Sequence, residues 1–380
     1  MKIGILQTAY KKASEYGAFY NVQELGLARA LASNGIDVVL YKAVDGEDST
    51  IEEYEGKLTI KLVGVRYIGI NGLFDVEKLD RSIDVLVYFC DTQIVVPKVY
   101  KWCNDNKVTF LPYIGVIHSH SESFIKRLIM GIAARKNLAV YKKCQVLAKT
   151  PAMKKELENI GCNKVTIFPV GLDETVMTGS SDYGTNGDIG ERIHKCVEHI
   201  LYVGRMEEEK QPLMMLDIYD ELLKHSKNLK LTMIGDGYLY NDAKARLDEI
   251  ISTNNLSKDQ AVIIKKVAYK DMPEFYKKAD IYVNLNKVEI LGMSILEAMY
   301  YGSLVVAIDA PGPRYILDYD AFGPKYGIVA QSQEEVISAM KDVILEGDNY
   351  NISDFTKNAR ERVVNKFVWS NLAKNLVEML

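Results

Sequence analysis

Two glutamates bracket the segment Glu289-Ile290-Leu291-Gly292-Met293-Ser294-Ile295-Leu296-Glu297. A carboxylate accepts two hydrogen bonds from vicinal hydroxyls, so a pair at this spacing can hold two different polyols. Gly292 suits a helix N-cap, Met293 to Tyr301 a helix, and Gly302 its stop. The positive end of that helix, with its backbone N–H groups, then lies beside Glu289 and suits an anion such as a diphosphate. The plain alternative is that Glu289 is a solvated loop residue and Glu297 a surface helix residue, as glutamates commonly are.

A second group is Gly204-Arg205-Met206-Glu207-Glu208-Glu209-Lys210. Arg offers a fork for bidentate contact and Lys a point charge, a pair able to neutralise a diphosphate or simply to be solvated. Gly235-Asp236-Gly237 permits a sharp turn, either a plain one or one that approaches a ligand closely. Gly17, in Glu15-Tyr16-Gly17-Ala18, could let a phosphate reach the backbone, yet Gly-x-Gly-x-x-Gly is lacking, so nicotinamide binding is a poor reading. His118 and His120 follow an apolar run, where His118 could meet a sugar hydroxyl or developing charge, or be structural.

The elements that must position these residues alternate from end to end. Strands are predicted at 2–7, 37–41, 58–63, 84–89, 109–116 and 145–148, then at 199–203, 230–234, 261–265, 280–284 and 304–308. A helix is predicted at 22–33, and helical sequence runs from Asp354 to Leu380 with a break near Val368. Such alternation implies crossovers, parallel sheets and helices on both faces. Two sheets of about five strands fit better than one very large one. The polar, Gly- and Ser-rich stretch 174–189 reads as a flexible link.

With ~150 residues per domain, 380 residues suggest two to three domains. Forty-seven Lys plus Arg against 51 Asp plus Glu exclude a basic nucleic-acid binder, so no nucleic-acid partner is expected. Forty-eight per cent hydrophobic and 26% charged residues indicate an ordinary globular protein rather than a disordered chain. The five cysteines, Cys90, Cys103, Cys144, Cys162 and Cys196, form no C-x-x-C pair and read as reduced thiols in a cytosolic protein. No run approaches the ~18 apolar residues of a membrane span. Residues 124–143 carry Lys126, Arg127, Arg135, Lys136, Lys142 and Lys143 among apolar residues and no acid. Such a helix either lies on anionic lipid or is docked with a solvated basic face.

Together these pieces resemble the family 4 glycosyltransferases of GT-B architecture, most strongly between Leu201 and Pro313. The pieces are Gly204-Arg205 with Lys210, Gly235-Asp236-Gly237, Tyr276-Lys277-Lys278-Ala279-Asp280 and the Glu289-to-Glu297 segment. The resemblance implies an α/β fold of two Rossmann-like domains with parallel sheets facing across a cleft. It implies an acceptor-binding domain at 1–173, a linker at 174–195, a nucleotide-sugar domain at 196–360 and a C-terminal helix at 361–380 packing back on the first domain.

The implied activity is retaining, metal-independent transfer of a hexose-type sugar from a nucleotide sugar, UDP-linked on family frequency. The acceptor would be a saccharide or lipid-linked hydroxyl in bacterial surface polysaccharide or glycoconjugate synthesis. The family's roles give Arg205 and Lys210 the diphosphate, aided by backbone N–H groups of Leu291, Gly292 and Met293. They give Glu297 the ribose, Glu289 the sugar hydroxyls, Val267 the base, Gly17 the phosphates and His118 the sugar pocket. No metal or cofactor is expected. The expected location is cytoplasmic, with peripheral membrane contact through 124–143. Two positions depart from the family: Ile290-Leu291 replace the usual Gly-Phe, and Lys266 precedes Val267. The alternative is a non-catalytic protein of this fold that stabilises an active transferase.

Overall fold

The computed structural model describes residues 1–9, 22–117, 124–178, 197–321, 323–345 and 352–380, with side chains of 124–130 left aside. The chain divides into two units, Met1–Thr185 with Lys366–Leu380, and Asn186–Asn365.

The first unit holds β1 (Lys2–Gln7), β2 (Asp37–Val44), β3 (Ser49–Glu53), β4 (Leu58–Gly64), β5 (Tyr67–Ile68), β6 (Asn71–Gly72), β7 (Val85–Phe89), β8 (Thr109–Ile114), β9 (Val146–Ala148) and β10 (Val165–Ile167). Its main sheet runs β10-β9-β8-β7-β1-β2-β4-β3. All pairs are parallel except β3 with β4. β7 is buried at every position, as expected for a parallel strand covered on both faces. β3, Ser-Thr-Ile-Glu-Glu, and the three-residue β10 lie at the two edges. Their polar or short sequences carry no apolar run, which is why the sheet exceeds the six strands read from sequence.

The second unit holds β11 (His199–Val203), β12 (Lys230–Ile234), β13 (Ala261–Ile264), β14 (Ile281–Asn284), β15 (Leu304–Ile308) and β16 (Ile328–Ala330). All pairs are parallel, in the order β13-β12-β11-β14-β15-β16. This is the doubly wound order 3-2-1-4-5-6. Successive strands leave β11 in opposite directions, so a crevice opens at the carboxyl ends of β11 and β14, where such sheets bind ligands. Its core includes Ile200, Leu216, Met233, Val283 and Val306, all fully buried.

The segment expected as a linker from residue 174 begins instead with a helix, Glu174–Thr178. Glu174 is buried and accepts from the Ser370 N–H at 2.9 Å and its hydroxyl at 2.7 Å. The remainder of the expected linker lies outside the described residues. The expected C-terminal helix from 361 is also divided. Helix Ile352–Lys366 lies in the second unit up to Asn365, and there buried Arg362 donates to the Ile316 carbonyl at 2.7 Å. Val368 is extended, and helix Trp369–Met379 belongs to the first unit. There fully buried Trp369 lies where a Cβ on Gly26 would come within 2.4 Å of its ring.

The basic helix spans Phe124–Tyr141. From Gly131 onward, Ala134, Asn137, Val140 and Tyr141 face inward, and Asn137 donates to the Gln93 carbonyl at 2.8 Å. Ile132, Arg135 and Lys136 face outward. Among the described residues no helix is long and apolar enough to cross a membrane. Cys90, Cys103, Cys144 and Cys162 are free thiols, and burial pushes Cys103 and Cys144 up to about 12. Cys196 lies outside the described residues.

Candidate active site

β11 delivers the first cationic loop. Gly204 N–H donates to the Ile234 carbonyl at 3.0 Å and Met206 N–H to the Asp236 carbonyl at 2.9 Å, so this loop lies against the one after β12. A Cβ on Gly235 would stand 1.8 Å from the Gly204 carbonyl oxygen, and one on Gly237 2.5 Å from that of Met206. Both glycines thus serve the approach of two loop backbones. A 3-10 turn, Glu208–Lys210, follows, and the Tyr202 hydroxyl donates to the Lys210 carbonyl at 2.9 Å, tying the turn to β11.

β14 delivers the acidic loop. Glu289 N–H donates to the Asn286 carbonyl at 3.2 Å, and the Glu289 carbonyl accepts from Gly312 N–H at 2.7 Å. Gly312 is required there, because a Cβ would sit 2.5 Å from the Leu291 carbonyl oxygen. Gly292, at φ +95°, caps helix Met293–Tyr300 from the left-handed region that favours glycine, and Gly302 follows the helix at φ +81°. The first backbone N–H groups of any helix lack intrahelical partners.

Lys210 and Glu289 meet. Lys210 Nζ lies 3.0 Å from Glu289 Oε2, with both side chains about one-fifth exposed. Arg205 is exposed and pairs instead with Glu207 and Glu209 of its own loop. Neither Glu289 nor Glu297 is a solvated surface residue. Glu297 is 1% exposed, and its Oε2 accepts from the Tyr276 hydroxyl at 2.7 Å. Tyr276 in turn stacks on Tyr301 with ring centroids 6.0 Å apart. A carboxylate so buried needs such donors, since water no longer satisfies it. Tyr282, also buried, donates to Ser294 Oγ at 2.6 Å, and burial raises its hydroxyl.

Val267 is half-buried in the loop after β13 and Lys266 is exposed beside it. Among the described residues, no hydrogen bond or ion pair joins Val267 to Lys210, Glu289 or Glu297. Gly17, His118 and His120 lie outside the described residues. No group of three His, Cys, Asp or Glu suited to a metal occurs among the described residues. Sequence reasoning gave no role to Asn286 or Ser294 and used Tyr276 only as a landmark. The available signal for Asn286 was Asn-x-Asn at a strand end, which favours an Asx turn.

Residues 191–362 match the family described as glycosyl transferases group 1. An uncharacterized glycosyltransferase of Methanocaldococcus jannaschii is 22% identical over 93% of this chain and 92% of its own. Alpha-monoglucosyldiacylglycerol synthase of Streptococcus pneumoniae is 25% identical over 47% of this chain and 41% of its own. Among solved structures, Anabaena HepE in complex with UDP superposes with a TM-score of 0.67, covering 100% of this chain and 99% of that one at 14% identity. The protein therefore has the GT-B fold of two Rossmann-like domains.

Proposed function

We propose that the protein is a retaining glycosyltransferase that moves a hexose-type sugar from a UDP-linked donor to a saccharide or lipid-linked hydroxyl. The observation that carries this reading is the Lys210–Glu289 contact, which joins the loops after β11 and β14 at the switch point of the second sheet. A diphosphate there meets Lys210, Arg205 and the start of helix Met293–Tyr300, with support from N–H groups of Leu291, Gly292 and Met293. Exposed ion pairs are worth only ~0–1 kcal/mol, so a dianionic group can draw Arg205 from Glu207 and Glu209. Glu297 takes the ribose, Glu289 the sugar hydroxyls and the backbone near Val267 the base. HepE, a neighbour in fold, is a UDP complex, which supports the choice of nucleotide.

The chemistry asks little proton transfer of the protein. As the glycosidic bond breaks, the leaving diphosphate gains charge that fixed cations stabilise more in the transition state than in the ground state. The acceptor hydroxyl attacks from the same face and gives its proton to the departing phosphate oxygen, which retains configuration without a metal.

The first unit takes the acceptor. Arg135 and Lys136, outward on helix Phe124–Tyr141, favour peripheral contact with anionic lipid on the cytoplasmic side. The name of the Streptococcus pneumoniae relative, a glucosyldiacylglycerol synthase, agrees with a lipid-linked acceptor in bacterial envelope glycoconjugate synthesis.

A thermal-shift screen across nucleotide sugars, followed by an assay of donor hydrolysis, tests the reading. A ligand that binds only the folded state raises stability by RT ln(1 + [L]/Kd). One nucleotide sugar is expected to stabilise the protein and to be slowly cleaved. Neither binding nor cleavage across the panel would instead favour the non-catalytic partner.

A further inference from the structure

We infer that Asn286 is the positioning residue for Glu289 and fixes which carboxylate oxygen meets the donor sugar; the inference rests on the donor-site reading above. Asn286 is 3% exposed and uses both ends of its amide. Its Oδ1 accepts from Val288 N–H at 3.1 Å, and its Nδ2 donates to Glu289 Oε2 at 3.0 Å. Its own N–H donates to Asn284 Oδ1 at 3.2 Å, and its carbonyl accepts from Glu289 N–H at 3.2 Å. One side chain thus shapes the turn and grips the carboxylate at the end of that turn.

Lys210 donates to the same oxygen, Oε2, also at 3.0 Å. The last torsion of a glutamate is broad, so an ungripped carboxylate exchanges its two oxygens easily. Two donors on one oxygen hold that torsion, and among the described residues Oε1 has no donor. Oε1 is then the acceptor offered to a hydroxyl of the sugar. The arrangement also assigns labour: Lys210 balances the charge of Glu289 and can turn to the diphosphate, while neutral Asn286 keeps the carboxylate aimed when it does. The ligand class is a nucleotide sugar bearing a free hydroxyl at that point.

An amide is required because its two ends have opposite polarity. Asn286→Asp keeps the volume and the acceptor for Val288 N–H, removes the donor and sets a second carboxylate against Glu289. Of two close carboxyls one is raised towards neutral pH, and its proton restores a donor.

The test is calorimetric titration of wild type and Asn286→Asp with UDP and with UDP-glucose from pH 4.5 to 8. We expect UDP to bind both proteins within twofold. UDP-glucose is expected to bind the variant at least tenfold more weakly at pH 8, with affinity recovering towards pH 4.5. Equal affinity of the two proteins for UDP-glucose across the pH range would overturn the role of Asn286 alone. Equal loss of UDP and UDP-glucose would make Asn286 a structural turn residue and overturn it too. Wild-type protein that binds neither probe would overturn the donor-site reading and, with it, this inference. Asn286→Ala, which loses both ends of the amide, should melt lower than Asn286→Asp and show no recovery at acid pH.

Discussion

Lys210 Nζ stands 3.0 Å from Glu289 Oε2 although the two residues are 79 positions apart in sequence. The fold closes that distance by pairing β11 with β14, so the loops that follow them emerge side by side. Lys210→Ala removes the cation from the switch point and leaves Glu289 with Asn286 as its remaining described donor. We expect kcat/KM for the selected nucleotide sugar to fall on the order of a hundredfold, comparable with losing one oxyanion stabiliser. Steady-state kinetics decide it, and near-normal turnover would remove Lys210 from the donor site.

Tyr276→Phe takes one donor from a carboxylate that is nearly sealed from water. Leaving a buried acceptor short of a partner costs about 1–3 kcal/mol. Urea unfolding should show that loss with the slope unchanged, and affinity for UDP should fall with it if Glu297 holds the ribose. A variant as stable as wild type would show that the hydroxyl contributes nothing to Glu297.

Gly235→Ala places a methyl group where the Gly204 carbonyl oxygen stands. The clash is with backbone, which cannot rotate away, so a loss of about 2–4 kcal/mol is expected by urea unfolding. Gly131→Ala is the contrasting case: it is helical, and nothing lies within 4 Å of the added carbon. There alanine should raise stability by about 0.5–1 kcal/mol.

Asp80 gives a pH signature. A hydrogen bond from Lys2 Nζ at 2.6 Å, followed by one from Ser82 N–H at 2.9 Å, holds its carboxyl down at about 2. A carboxyl lowered on folding stabilises the protein above its unfolded value and loses that contribution as pH falls through the folded one. The stability difference between wild type and Asp80→Asn should therefore be constant above about pH 5 and shrink towards zero between about pH 4 and 2. A difference independent of pH over that window would show that the Lys2 contact does not act through the carboxylate charge.

Sequence periodicity revealed the apolar central strands, and β1, β11, β12 and β15 lie where their β-branched runs stand. It missed β3 because Ser49, Thr50, Glu52 and Glu53 have no buried face to signal, and β16 because three residues carry no period. In the candidate site, Glu289 and Lys210 were legible as charged residues in loops that follow strands, and Glu297 by its spacing from Glu289. Their partners were not. Tyr276 meets Glu297 only because helix Met272–Lys278 and helix Met293–Tyr300 are brought together by folding, and no local spacing encodes that contact. The ion pairs of Arg205 with Glu207 and Glu209 were local, yet sequence alone could not tell a paired guanidinium from one aimed at a ligand.

The return of Trp369–Met379 to the first unit bears on biosynthesis. The strands of that unit leave the ribosome early, but the helix that fills the space beside Gly26 is made only after Asn186–Asn365. At ~5–20 residues per second the gap lasts roughly 10–35 s. Throughout that interval the nascent first unit lacks its tryptophan plug and presents an uncovered apolar seam, the period in which a holding chaperone has most to offer.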